Sequence, residues 1–508
     1  MAAASRAGLS IGLDVGTSGV KALLVTGEGD IAASATEEYQ LLTPKPGWTE
    51  QEPESWWTAS CRVLKSLAEK AEAPIEAIGL TGQMHGAVFL DDDGEVIRPA
   101  LLWNDQRTAD ECADIESRIG SQRLRGITGN PALTGFQAPK VLWLRKHEPE
   151  AYSRLRHVLL PKDFIRYRLS GALATDASDA AGTLLLDLVR RNWSEEILKA
   201  LDIPLEWLPK VHEGPDITGH VNADGAKASG LQQGLPVIAG GGDNAAAAVG
   251  SGVVGEGTGF VSLGTSGVVF VASEKPKIDP DGALHAFCHA VPGRYHLMGV
   301  ILSAGGSLRW YRDNLARLSV DRSVDAYDQI FARASEVSAG ADGLFYLPYL
   351  AGERTPHMDP FARGAFVGLS LAHDDRHMAR AVIEGISFAL KDSLVLMDRL
   401  GVSPDQLFAV GGGARSPLWR TWLASILGVG LQRLEVEEGP AMGAALLGAV
   451  GAGIHSDVET AVAKMIRKEG PLETPKPALE DRYHPVYERF TRLYPALKTA
   501  DIWQGENA

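Results

Sequence analysis

The pentapeptide GTSGV occurs twice in this chain, at Gly16–Val20 and again at Gly264–Val268. The first copy follows the apolar run LSIGL of 9–13 and Asp14, and leads into KALLV at 21–25. The second sits inside VSLGTSGVVFV, 261–271. Each copy reads as strand, tight turn, strand. A Gly-Thr-Ser-Gly turn offers several backbone N–H groups and two hydroxyls, as a phosphate cradle does. A single copy is equally a plain hairpin turn. Its return in the same setting predicts two related halves. Two such hairpins facing each other across a cleft would make a nucleotide site.

A weaker motif repeats behind the first. VIAGGGDNAAAAVG, 237–250, reads as a short buried strand, a triple-glycine turn and a helix start. LFAVGGGARSPLW, 407–419, has the same order, with Ser416 as helix cap and Pro417 in the first helical position. The first of these turns places Asp243 at a helix N-terminus. An acid there is a cap, or a base that the helix start keeps ionised. The glycines would let a substrate come close to the backbone.

Outward from these repeats the chain is of mixed α/β character. Glu54–Lys70 is predicted helical, with Trp57, Cys61, Leu64 and Leu67 on one face. Ile75–Leu80 is a strand running into Thr81-Gly82-Gln83-Met84-His85-Gly86. LLWND at 101–105 gathers an aromatic, an amide and an acid that could hold a polyol, or simply end a strand. Residues 109–235 look more helical. Thr175–Thr183, TDASDAAGT, reads as a loop near a helix. Asp374–Leu400 is a long amphipathic helix, Gly439–Gly451 a tightly packed Ala/Gly helix, and the tail past Pro471 a surface extension.

Composition bounds the function. At ~150 residues per domain, 508 residues suggest about three domains, and two large α/β domains fit as well. With 45% apolar and 22% charged residues the chain is ordinary globular material. A net charge of −15 argues against a protein whose affinity comes from nucleic-acid phosphates. It leaves nucleotide binding open, since local N–H groups hold phosphates whatever the net charge. Cys61, Cys112 and Cys288 are far apart and odd in number, so neither a disulfide framework nor a zinc site is expected. No run approaches ~18 consecutive apolar residues, and no export signal precedes Gly8. The expected setting is the cytoplasm, with no membrane and no nucleic-acid partner.

These stretches resemble the FGGY carbohydrate kinases, from about Ser10 to about Pro495. The C-terminal signature is matched by GAFVGLSLAHDDRHMARAVIEG at 364–385. The N-terminal one is matched at Gly135, Lys140, Val141, Trp143, Leu144 and His147, with Gln137 where the family usually has Pro, Ser or Thr. GQMHG at 82–86, LLWND, LLPKD at 159–163, GGGDNAA at 240–246 and LPYLAGERTPH at 347–357 place it nearest the members that act on D-xylulose.

The resemblance implies an α/β, actin/hexokinase/Hsp70-like (ribonuclease H-like) ATPase fold. It implies two domains, 8–255 and 256–500, around a cleft. It also implies ATP with Mg2+ and phosphorylation of D-xylulose to D-xylulose 5-phosphate. Carried over by position, Asp243 is the general base and Asp14 helps place magnesium, through water. Gly16, Thr17 and Ser18, with Gly264 and Thr265, form the phosphate hairpins. Gly412, Gly413 and Ser416 hold adenosine. Met84, His85, Trp103, Asp243 and Asn244 line the sugar pocket. Family members are often homodimers. Another sugar (ribulose, gluconate or glycerol), a non-catalytic sugar sensor or an actin-like assembling ATPase stay open as alternatives.

Overall fold

The computed structural model describes residues 8–316 and 325–503, and the two GTSGV copies begin two separate sheets. The first sheet contains β1 (Leu9–Val15), β2 (Gly19–Thr26), β3 (Ile31–Glu38), β4 (Ile75–Gly82), β5 (Ile217–His220) and β6 (Pro236–Gly242). Their order is β5-β6-β4-β1-β2-β3. The central strands β1, β4 and β6 are parallel, and the GTSG turn joins β1 to its antiparallel neighbour β2. Their near-continuous apolar runs follow from cover on both faces.

Helix α1 (Pro53–Lys70) covers one face with Trp56, Val63, Leu64 and Leu67. Cys61, expected on that face, is only partly covered. Helices α2 (Gln137–His147) and α3 (Pro161–Ser170) precede β6, and α4 (Asp243–Gly250) follows it. The glycines read as a turn instead finish the strand: β6 runs to Gly242 and α4 starts at Asp243 with no loop between. Thr175–Thr183, read as a loop, is a strand end followed by short helical turns, buried throughout. Asp176 caps these turns, accepting from the Ser178 and Asp179 N–H groups.

The second sheet contains β7 (Thr258–Leu263), β8 (Gly267–Ser273), β9 (His285–Cys288), β10 (Tyr295–Ile301), β11 (Gln406–Val410), β12 (Gly430–Leu434) and β13 (Lys468–Glu473). Their order is β9-β10-β8-β7-β11-β12-β13. The plan of the first sheet recurs: the leading strand of the GTSG hairpin pairs in parallel with a later strand, β4 beside β1 and β11 beside β7. Around this sheet lie α5 (Gly305–Asn314), α6 (Asp375–Arg399) and α7 (Pro417–Leu427). Asp374 and His377 form a capping box on α6, and Ser416 caps α7.

Helix α8 (Gly439–Gly451), late in the chain, lies on the first sheet. The Ser10 hydroxyl donates to Ala445 O at 2.8 Å, and a side chain at Gly12 would stand 1.9 Å from Ala441 O. Backbone contact this close is available only to a Gly/Ala-rich helix. The tail is not the surface extension read from sequence. Strand β13 joins the sheet, and α9 (Pro477–Phe490) and α10 (Leu493–Thr499) bury Tyr483, Val486, Phe490 and Tyr494 against Phe345 and Phe388. No helix among the described residues is long and apolar enough to cross a membrane.

Candidate active site

The parallel register sets the first-half residues side by side. Asp14 of β1 is level with Thr81 of β4, and Thr81 is level with Gly241 of β6. The carboxyl ends of three adjacent strands therefore deliver Asp14 and the first GTSG turn, then Gln83-Met84-His85, then Asp243 and Asn244. Open α/β sheets bind ligands at this edge.

Asp243 bears on Asp14. Burial pushes Asp14 up to about 7, Asp243 adds to the rise, and Lys21, across the hairpin, opposes it. One oxygen of Asp14, Oδ1, is buried with no hydrogen-bond partner. Asp243 Oδ1 accepts from the Asn244 backbone N–H at 2.7 Å and from Asn244 Nδ2 at 3.0 Å. Burial still outweighs these bonds and raises Asp243 to about 6. The helix start was expected to hold this acid ionised; the desolvation of the strand edge is the larger effect.

The first GTSG turn is clamped by side chains. Thr17 Oγ1 donates to Gln83 Oε1 at 3.0 Å and accepts from Trp103 Nε1 at 2.9 Å. Gln51 Nε2 donates to Thr17 O at 2.7 Å, and the Tyr39 hydroxyl donates to Gly16 O. Ser18 at the tip is exposed. Trp103, fixed through its indole N–H, is 46% exposed.

His85 adopts φ 66°, a left-handed conformation that a non-glycine residue holds only when its surroundings enforce it. They do so here. Lys140 Nζ donates to His85 O at 2.8 Å and to Gly135 O at 2.6 Å, and Gln137 Nε2 donates to Gly86 O at 2.9 Å. The His85 ring bonds through Nδ1 to Gly182 O at 2.5 Å and meets Phe136 edge-on at 4.7 Å. Burial lowers it to about 3, with the Lys140 and Arg354 cations adding to the fall, so the ring is neutral. A neutral ring that donates from Nδ1 keeps Nε2 as an acceptor. Met84 is packed between Gly182 and Gly242, where a side chain on either glycine would come within 2.9 Å of it.

The second-half residues gather around a separate open pocket of about 700 Å3. Gly264 and Thr265 line one side, Gly412, Gly413 and Ser416 another, and Tyr327 and Phe331 add aromatic surface. The hairpin is held by its backbone: Gly264 O accepts from Gly305 N at 2.8 Å, and Thr265 O accepts from Ala304 N at 3.0 Å and Gly306 N at 2.9 Å. The two halves meet at His85, whose ring lies 6.2 Å from Phe287 of β9.

Lys140 and Gln137 hold the His85 turn, yet the sequence showed Lys140 only as part of a matching stretch and Gln137 only as a departure from it. Their signal was there: a Lys and a Gln inside an apolar helical run. Their partners could not be read from it.

The model of the FGGY family of carbohydrate kinases matches its N-terminal domain to residues 9–250 and its C-terminal domain to residues 259–452. The chain belongs to the FGGY family of carbohydrate kinases. Among other FGGY kinases, it is 43% identical to the xylulose kinase of Escherichia coli K12 over 96% of this chain and 99% of that protein. It superposes on the crystal structure of xylulose kinase from Rhodospirillum rubrum with TM-score 0.91 and 33% identity, covering 97% of this chain and 99% of that one. Gluconate kinase from Lactobacillus acidophilus gives TM-score 0.90 at 29% identity, over 96% and 98% of the two chains. The two-sheet architecture is the actin/hexokinase-like ATPase fold expected from the sequence.

Proposed function

We propose that this FGGY kinase transfers the terminal phosphoryl group of ATP to the 5-hydroxyl of D-xylulose, with Asp243 as general base. Identity of 43% to xylulose kinases over 96% of the chain supports the substrate. The single observation that carries the chemistry is the strand-edge row of Asp14, Met84-His85 and Asp243.

A primary alcohol is a weak nucleophile until its proton can leave, and a carboxylate within hydrogen-bond reach takes that proton as the bond to phosphorus forms. Asp243, raised to about 6, is mostly ionised at pH 7 and close enough to that pH to serve as a base. His85 Nε2 accepts from a sugar hydroxyl, and the Trp103 ring offers an apolar face to the sugar carbons. The nucleotide lies in the second-half pocket, with Gly412, Gly413 and Ser416 at the adenosine end and the two GTSG turns at the phosphates. Closing the halves together excludes water from the transfer.

The unpartnered Asp14 Oδ1, beside a second carboxylate, fits a divalent cation. Among the described residues no group of three or more His, Cys, Asp or Glu side chains is arranged to hold a metal ion, so the fit is with an ion that keeps most of its own water. Magnesium held there would neutralise charge on the ATP phosphates. The three free cysteines agree with a reducing cytoplasm.

A coupled assay of ADP release tests the substrate against D-xylulose, ribulose, gluconate and glycerol. The highest kcat/KM is expected for D-xylulose. The likeness to a gluconate kinase makes gluconate the second reading, and preference for it would overturn the first.

A further inference from the structure

Beneath the strand edge lies a fully buried ionic group. Lys162 Nζ stands 2.7 Å from Asp163 Oδ1, 2.8 Å from Asp176 Oδ2 and 3.2 Å from Asp179 Oδ2, and none of these side chains has any exposure. Arg166, equally buried, adds a second cation 3.4 Å from Asp163. Buried ion groups are poor stabilisers, because desolvation offsets most of their attraction. This one is tied to β6, the strand that leads into Asp243.

The ties fall where β6 departs from its ladder. Its pairing with β4 shifts between Ile238 and Gly241, and Gly240 takes φ 76°. Arg166 donates to the carbonyls of this bulge, to Ile238 O at 3.0 Å and Ala239 O at 2.6 Å. Ser178 then takes up the end of the strand. Its Oγ accepts from Gly242 N at 3.1 Å and donates to Asp176 Oδ1 at 2.5 Å. Bulges beside active sites re-aim a side chain, and here the Ala239 carbonyl in the bulge and the Gly242 N–H at the strand end each meet a buried polar side chain. A chain of contacts runs Lys162–Asp176–Ser178–Gly242 and stops one residue before Asp243.

We propose that Ser178 is a positioning residue for Asp243, with Asp176, Lys162 and Arg166 holding it and the β6 bulge in place. This rests on the reading of Asp243 as the base. A residue that only stabilises the fold would lower the amount of folded enzyme. A positioning residue lowers turnover per folded molecule, because a misplacement of about 1 Å at a reacting group can cost on the order of 100-fold in rate.

The test compares Ser178→Ala with Ser229→Ala, which removes another buried hydroxyl, bonded to Gly225 O at 2.7 Å in a different helix. Thermal melts give the folded fraction, and kcat and KM are measured per folded molecule. Ser178→Ala is expected to lower kcat on D-xylulose roughly tenfold or more. Its KM for ATP should stay near that of the parent, and Ser229→Ala should keep the parent kcat. The proposal is overturned if Ser178→Ala turns over like the parent, or if both variants lose activity only in proportion to lost folded protein. Asp243→Asn separates the two ideas. A dead Asp243→Asn beside an active Ser178→Ala removes the positioning role alone, whereas an active Asp243→Asn removes the base itself.

Discussion

A base must be ionised to work, and at Asp243 burial opposes that more strongly than the two Asn244 bonds favour it. As the base, Asp243 should impose a fall in kcat/KM as pH drops below about 6. Asp243→Asn should lose roughly 10²–10⁴-fold in kcat while still binding nucleotide, as steady-state kinetics and ADP titration will show. The same shift sets a stability trend. The folded state holds this proton up to about 6, against an ordinary value of 3.8. The stability that follows is complete below 3.8 and is lost as pH rises through about 6. Asp243→Asn should therefore melt higher than the parent at pH 8, and the gap should close towards pH 4. His85 gives a different pattern. With a neutral ring bonded to Gly182 O, its remaining acceptor is the one proposed to meet the sugar. His85→Ala should raise KM for D-xylulose at least fivefold more than KM for ATP; equal increases would mark a structural histidine.

Helices α4 and α8 cross at their small residues, and this contact connects packing to the site. A side chain at Gly443 would stand 1.8 Å from Ala246 O, inside any possible contact distance. Gly443→Ala must push α4 aside, at about 1–3 kcal/mol for an overpacked interface. Because α4 begins at Asp243, the variant should melt several degrees lower and lose kcat by more than the melt explains. Unchanged kcat in the folded fraction would show that α4 moves without carrying Asp243.

The Ala/Gly pattern made α8 legible in the sequence, as strand–turn–strand made the two hairpins legible and Ser416-Pro417 the start of α7. What escaped was burial decided by distant partners. TDASDAAGT reads as a loop because acids usually lie in water, and Lys162 of α3 offsets the burial of Asp176 and Asp179 from a distant part of the chain. The tail misread has another cause. Tyr483, Val486, Phe490 and Tyr494 carry a helical stripe, but His484, Glu488, Arg489 and Arg492 between them hide it in the mean composition.

At the scale of the whole molecule, two copies of one pentapeptide have come to rest in unlike surroundings. In the first hairpin the Thr17 hydroxyl is engaged by Gln83 and Trp103, so it fixes the Trp103 ring that the proposed function sets against the sugar. In the second, Thr265 is held by its backbone carbonyl, and its hydroxyl has a long contact, 3.5 Å from Arg309, in the pocket proposed for the nucleotide. The repeat would suggest equal roles for the two threonines; their neighbours suggest a division. Thr265→Val should raise KM for ATP and leave KM for D-xylulose near that of the parent. Thr17→Val should free Trp103 and raise KM for D-xylulose more than its counterpart does. Loss of one charge-assisted hydrogen bond to phosphate corresponds to about 1.5–3 kcal/mol, or roughly ten- to a hundredfold in KM for ATP. Steady-state kinetics with each substrate varied in turn decides the matter. If both variants raise KM for ATP alone, the first hairpin is a phosphate clamp equal to the second, and its side-chain network serves only to stiffen the turn.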